Sequence, residues 1–143
     1  MFIGEYAHSL DLKGRMAIPA KFRKGLVSGA IITRGLDRCL FIFSKTEWEK
    51  LATKLIDLPL AQANSRAFVR LMMSGAVDVE IDNQGRVLVP EYLRQYAGLS
   101  KNAVVTGLLN RIEVWDEASW KEYKTKTESQ SDEIAEKMGE LGI

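Results

Sequence analysis

The sequence predicts an α+β fold with a mainly β core: two tandem β-β-α-β-β units that pair about a pseudo-twofold axis and complete one barrel, with helices flanking it. Two observations carry this expectation. First, the stretch "DLKGRMAIP", Asp11 to Pro19, returns as "DNQGRVLVP", Asp82 to Pro90. Beyond it, Phe22 aligns with Leu93, Arg23 with Arg94, Thr33 with Thr106 and Arg38 with Arg111; after a one-residue gap Trp48 aligns with Trp120. Self-similarity of this extent is an internal duplication. Second, a four-stranded unit of about 45 residues is too small to bury its own sheet faces, whereas two in tandem suffice. The first unit is assigned to residues 1–50, connecting helices to 51–75, the second unit to 76–123 and a polar, acidic tail to 124–143.

Each copy reads the same way. "EYAHSL" and "VDVEI" are short strands ahead of the aspartate. Asp-x-x-Gly then forms a tight turn. Asp11 and Asp82 can bond their own backbone ahead, and Gly14 and Gly85 can take the left-handed conformation. A hairpin with a type I turn and a glycine bulge fits this spacing. "RMAI" and "RVLV" are the return strands, with Met16 and Ile18 matched by Val87 and Val89. Pro19 and Pro90 are expected at the first helical position of the short helices "AKFRK" and "EYLRQYA", with Gly25 and Gly98 as their stops. Two strands follow in each copy, near 30–33 and 39–43, and near 103–107 and 112–115. Ser44 and Glu47 form a capping-box pattern before "WEKLATKLIDL". There Trp48, Leu51, Leu55 and Leu58 recur at helical spacing as core residues. Pro59 interrupts this helix, and another is expected over 61–73 with Phe68, Leu71 and Met72 on its buried side. The tail reads as a frayed or docked helix.

Composition narrows the function. Of 143 residues 46% are hydrophobic, enough for a core. No apolar run approaches the ~20 residues of a membrane helix. "MFIGEYAHSLDLKGR" turns acidic and polar too early for a signal peptide, so a cytoplasmic location is expected. The single Cys39 has no internal disulfide partner, in keeping with a reducing compartment. One histidine and one cysteine make no ordinary zinc site, and no catalytic constellation or P-loop is present, so neither metal, cofactor nor enzymatic activity is expected. Asp78, Glu80 and Asp82 alternate along a strand, as a solvent-facing side would. Residues 1–71 hold 12 Lys and Arg against 6 Asp and Glu, while 72–143 hold 8 against 13. A basic front half and an acidic back half suggest a one-sided anion-binding surface.

The candidate contacts lie at the first turn. Lys13 and Arg15 flank Gly14, whose lack of a side chain lets the backbone approach a groove. Arginine can fork onto guanine O6 and N7, and lysine acts as a point charge against phosphate. Arg23 and Lys24 on the following helix extend the basic surface. Arg86 is the second copy's counterpart of Arg15, but there Gln84 stands for Lys13, Gln95 for Lys24, Tyr92 for Lys21 and Glu91 for Ala20. The first copy is therefore expected to carry most of any DNA contact. Asp11, Pro19, Asp82, Gly85 and Pro90 are assigned to turn and helix start. The competing structural role for Arg15 is pairing with an acidic neighbour.

"DLKGRMAIPAKFRK" resembles the swapped-hairpin β-barrel of AbrB-type transition-state regulators and MazE-type antitoxins, which two identical chains build together. Two copies in one chain, the opening "MFIGEYAHSLDLKGR", the paired "SGAVDVEIDNQGR" and the "EVWDEASW" near the end resemble the MraZ family. The resemblance implies a bacterial transcriptional regulator that binds double-stranded DNA at G-rich direct repeats upstream of its own operon, the division and cell-wall gene cluster. It implies repression of that cluster, assembly into homo-oligomeric rings and a place in the cytoplasm on the nucleoid. It points to Arg15, Arg23 and Lys24 as DNA contacts, with the loop bearing Arg15 as the reading element. An antitoxin-like interaction module, its acidic tail binding a basic partner, is the alternative.

Overall fold

A computed structural model describes residues 1–143. The first copy supplies strands β1 (Phe2–Ser9) and β2 (Arg15–Ala17), helix α1 (Ala20–Arg23), and strands β3 (Ala30–Arg34) and β4 (Leu40–Ser44). Helices α2 (Lys45–Ile56) and α3 (Ala63–Gly75) connect it to the second copy. That copy contains β5 (Val77–Val79), β6 (Arg86–Leu88), α4 (Glu91–Tyr96), β7 (Asn102–Leu109) and β8 (Ile112–Asp116). Helices α5 (Glu117–Ser129) and α6 (Ser131–Met138) end the chain.

The strands form a six-stranded antiparallel sheet in the order β1-β7-β8-β4-β3-β5 and a separate ribbon of β2 with β6. The copies exchange partners. β1 pairs with β7 from Phe2 opposite Leu109 to Ser9 opposite Asn102, and β5 pairs with β3. β4 beside β8 and β2 beside β6 are the pairs that a pseudo-twofold rotation maps onto themselves. The swapped-hairpin barrel implied by the resemblance is thus present in one chain. The simple local hairpin is corrected. β1 and β2 meet only at the Leu10–Met16 bridge and the bond from Asp11 N–H to Arg15 O, 3.0 Å. Past that point each strand follows a partner from the other copy.

Alternation sets the two layers. Leu40 and Ile42 point into the barrel with Met16, Ile18, Phe22, Val87, Val89, Leu93 and Ile112, all buried and drawn from both copies. Phe22 meets the rings of Phe2 and Tyr6 edge-on, each at 5.4 Å. On the sheet's outer face Phe41, Phe43 and Trp115 pack with Leu55 and Met72, and with the half-buried Trp48, Leu51 and Phe68. Because the middle strands are covered on both sides, "LFIF" is apolar throughout instead of alternating.

Helix ends follow the expected chemistry with local corrections. Ser44 Oγ accepts from Glu47 N–H at 3.2 Å, while the Glu47 carboxylate turns to Lys50 Nζ at 3.1 Å and does not close the capping box. Leu58 falls beyond the end of α2 and is exposed. The second connecting helix begins at Ala63 and runs to Gly75, and Leu71 is only half-buried. Pro19 and Pro90 stand one step before their helices, in extended conformation (ψ 134° and 152°), and their carbonyls accept the first helical bonds. Gly25 ends nothing: it lies inside a one-turn 3-10 helix, Lys24–Leu26, where a Cβ would strike the Phe2 ring. Gly98 does end α4, at φ +63°. The tail forms helices, and α5 is anchored at Glu5 of β1. There Trp120 Nε1 and Lys124 Nζ each donate to a carboxylate oxygen at 2.7 Å, which holds the Glu5 carboxyl below its usual range, Lys124 contributing most.

Gly107 sits in β7 where a Cβ would come within 2.5 Å of the β1 backbone at Phe2 and Ile3. Gly107→Ala is expected to destabilise the chain by about 1–3 kcal/mol, the range of an overpacking that backbone must absorb. Urea unfolding of the two proteins measures this.

Candidate nucleic-acid interface

Both Asp-x-x-Gly turns form with the same bonds. Asp11 Oδ1 accepts from Lys13 N–H (3.0 Å) and Arg15 N–H (2.9 Å); Asp82 Oδ1 accepts from Gln84 N–H (2.8 Å) and Arg86 N–H (2.9 Å). Gly14 and Gly85 N–H close the turns onto the Asp11 and Asp82 carbonyls, with φ +86° and +76°. The glycine bulge expected from the spacing is what the chain builds. The turn carboxylates, charged acceptors of backbone N–H groups, are held below the usual aspartate range; the bonds to Arg15 N–H and Arg86 N–H are the largest causes.

Each turn is clamped by the other copy. Gly14 O accepts from Val89 N–H and Gly85 O from Ile18 N–H, both at 2.9 Å. Arg94 lies over Gly14 and Arg23 over Gly85, so closely that a Cβ on either glycine would run into the guanidinium. Arg23 Nε also donates to Ile18 O at 2.9 Å. Arg23 is therefore half-buried as a brace for the second turn, and its charge helps burial hold the neighbouring His8 below the usual histidine range. Arg94 Nε is buried without a hydrogen-bond partner. Sequence reading notes Arg94 only as the repeat of Arg23. The signal for its role is that very alignment, once the partner exchange is known.

Arg15 and Arg86 share the β2–β6 ribbon. Arg15 faces Leu88 and Ala17 faces Arg86 across the β2–β6 ribbon, with Met16 and Val87 turned inward. Arg15 Nε donates to Asp11 Oδ2 at 2.7 Å, and Arg86 Nε to Asp82 Oδ2 at 3.1 Å. Arg86 Nη1 also lies 3.7 Å from Asp11 Oδ2, so one carboxylate joins both copies. The pairing of Arg15 with an acidic neighbour is real, but it uses Nε. The Arg15 Nη groups carry no hydrogen bond within the chain. Beside them Lys13 and Leu12 are exposed at the projecting tip, and Lys24 is exposed on the 3-10 turn. The structure thus brings Lys13, Gly14, Arg15 and Arg86 together and places Arg23 against the second turn. The surface presents guanidinium donors and an ammonium to an anionic or acceptor-rich partner.

Comparison with known proteins agrees with this architecture. The sequence profile of a family described as "MraZ protein, putative antitoxin-like" matches residues 1–71 and again 72–140, the same two copies. A protein of Acetivibrio thermocellus named "Transcriptional regulator MraZ" is 50% identical over 143 residues, the whole of both chains. Proteins of the same name from Alkaliphilus oremlandii and Pelotomaculum thermopropionicum are 50% and 49% identical, over all of this chain and 100% and 99% of theirs. These relatives are named as regulators, not enzymes. No helix of the chain is long and apolar enough to cross a membrane.

The lowered pKa values of Asp11 and Asp82 fix a sign. Their folded-state values lie below the unfolded value of about 3.9, so their contribution is complete above that value and is lost as pH falls through the folded one. The unfolding midpoint of the wild type is expected to drop as the pH falls below about 4. An Asp11→Ala, Asp82→Ala variant starts less stable and loses less over that fall, which thermal melts across the pH range resolve.

Proposed function

The chain belongs to the MraZ family, and from that premise we propose that it is a sequence-specific, DNA-binding transcriptional regulator that reads duplex DNA with the first Asp-x-Lys-Gly-Arg turn. The observation that carries the reading is the state of Arg15. Asp11 orients its guanidinium through Nε, and its Nη donors are free on an exposed ribbon beside Lys13 and Arg86. An arginine fixed in this way meets guanine O6 and N7 with less ordering left to lose. Lys13 and Lys24 supply phosphate contacts, which position the turn without reading sequence. Arg23 supports the surface by bracing the second turn. Arg86 contributes less, because its own turn carries Gln84 where the first turn carries Lys13.

The finer parts of the proposal follow the family resemblance. The preferred DNA is a set of G-rich direct repeats upstream of the chain's own operon, in the division and cell-wall gene cluster, and the effect there is autorepression. The protein works in the cytoplasm on the nucleoid, as a closed ring of identical chains. The small turn supports the ring: one turn per chain offers few phosphate contacts, and non-specific binding at that level has Kd near roughly 10⁻⁴–10⁻⁶ M. Linking several turns over repeated sites multiplies affinity by about 10²–10⁴.

The test is binding to a fluorescent duplex carrying the chain's upstream repeats, against a scrambled duplex, at two salt concentrations. Arg15→Ala is expected to lose the preference for the repeats by about 1–3 kcal/mol, roughly five- to 150-fold, and Arg86→Ala to lose less. Lys13→Ala should weaken both duplexes alike and flatten the salt dependence. Equal binding by wild type and Arg15→Ala would refute the reading and leave the barrel as an interaction module.

A further inference from the structure

Two features of the surface are left without a role by the reading above. The first is α6. None of its residues is buried, and its apolar side chains Ile134 and Met138 form one stripe that Leu141 in the next turn continues. Residues 131–143 carry Asp132, Glu133, Glu136 and Glu140 against the single Lys137. Glu133 and Glu140, seven residues apart, lie along the same flank of that stripe. The second feature is a groove between α2 and α3. A cavity of about 160 Å³ there is lined by Leu55, Ile56, Leu60 and Val69 with Arg66 and Arg70. Ile56 and Leu60 are 70% and 81% exposed. Its charge is of the opposite sign: Arg66 and Arg70 both line it, and no acidic side chain does.

The two features do not meet within the chain, since no α6 residue lines the groove. α5 starts at the end of β8 and is tied to β1 through Lys124 and Glu5. α3 is held over β3, where Arg34 Nη1 donates to Leu71 O (3.1 Å) and Thr33 Oγ1 to Met72 O (2.6 Å). β1 and β3 are separated by three strands, a span of roughly 19 Å at the usual strand spacing. The chain's own α6 does not fill its own groove, because no residue of α6 is buried and Ile56 and Leu60 stand open, while a second copy can present either feature to the other.

We propose that α6 of one subunit docks in the α2–α3 groove of the next, its Ile134–Met138 stripe on Ile56, Leu60 and Val69 and its acidic flank against Arg66 and Arg70. The contact is heterologous, head to tail, the type that closes into rings when the rotation permits. This inference rests on the ring assembly proposed above and names the surfaces that form it.

Charge exchange in the full-length chain tests it, with assembly mass from light scattering and folding from circular dichroism. Arg66→Glu with Arg70→Glu reverses the charge of the groove's two arginines, and Glu133→Lys with Glu140→Lys alters only exposed tail side chains. Each double variant is expected to fall from the wild-type mass to smaller species while staying folded. Mixing the two, or placing all four changes in one chain, should restore the large assembly, since every groove then meets a helix of opposite charge. If wild type assembles and both double variants keep its mass, this interface is wrong and the ring reading stands. If mass is lost but neither mixing nor the combined variant restores it, the pairing is likewise wrong. A monomeric wild type would overturn the ring reading itself, and this inference with it.

Discussion

The two bonds from Val89 N–H to Gly14 O and from Ile18 N–H to Gly85 O tie each copy's turn to the other copy's backbone. Most of the structure depends on that reciprocity. A turn so clamped cannot have a side chain at its glycine, because the other copy's arginine occupies the space. The strands leading to and from the turn cannot continue as a hairpin, because their bonding edges are committed across the pseudo-twofold axis. The barrel core then draws on both copies at once: Met16, Ile18 and Phe22 beside Val87, Val89 and Leu93. Neither unit has an interior of its own, and joining the two in one chain removes the concentration dependence that a two-chain barrel carries.

The same constraint explains how the copies can diverge in charge while agreeing in shape. Shape resides in Asp11 and Asp82, which bond the backbone of their own turns, and in Gly14, Arg23, Gly85 and Arg94, which meet the opposite copy. Charge at the tip and on the short helix answers to nothing inside the fold, as the exposed Lys13, Lys24, Gln84 and Gln95 illustrate. The second copy can therefore lose positive charge without loosening the first turn, which it continues to hold through Val89 and Arg94. A reader and its support are separated within one barrel, and a recognition element built on such rigid parts retains its geometry.

Repetition made much of this legible before any coordinates. The Asp-x-x-Gly spacing identifies both turns and their bulges, and the repeat matches Met16 and Ile18 with Val87 and Val89, all four of them buried. Partner choice was not legible locally. A period of two states which face a strand buries, not which strand lies beside it, so β1 reads as the hairpin mate of β2 when its ladder runs along β7. Arg23 reads as one more surface cation because its burial depends on a glycine 62 positions away. Pro19 was displaced by one step because proline's fixed φ suits both the first helical position and the extended residue before it. Leu58 continued the helical spacing of α2, but the helix closes at Ile56 and the spacing loses its meaning.

Charge was the coarsest signal, and the fold changes what it means. The sequence divides into a basic front and an acidic back, yet the copies interleave, so these halves are not two sides of the molecule. The excess resolves into particular places: an arginine pair on the ribbon, a lysine at the first tip, two arginines on α3 and an acidic C-terminal helix. On the ribbon the acids do not cancel the bases. Exposed ion pairs such as Arg15 with Asp11 add little stability, but they fix direction. With Nε held by Asp11, a base edge or phosphate approaching the turn competes only for donors that are already free, and the carboxylate behind them remains in place to aim them.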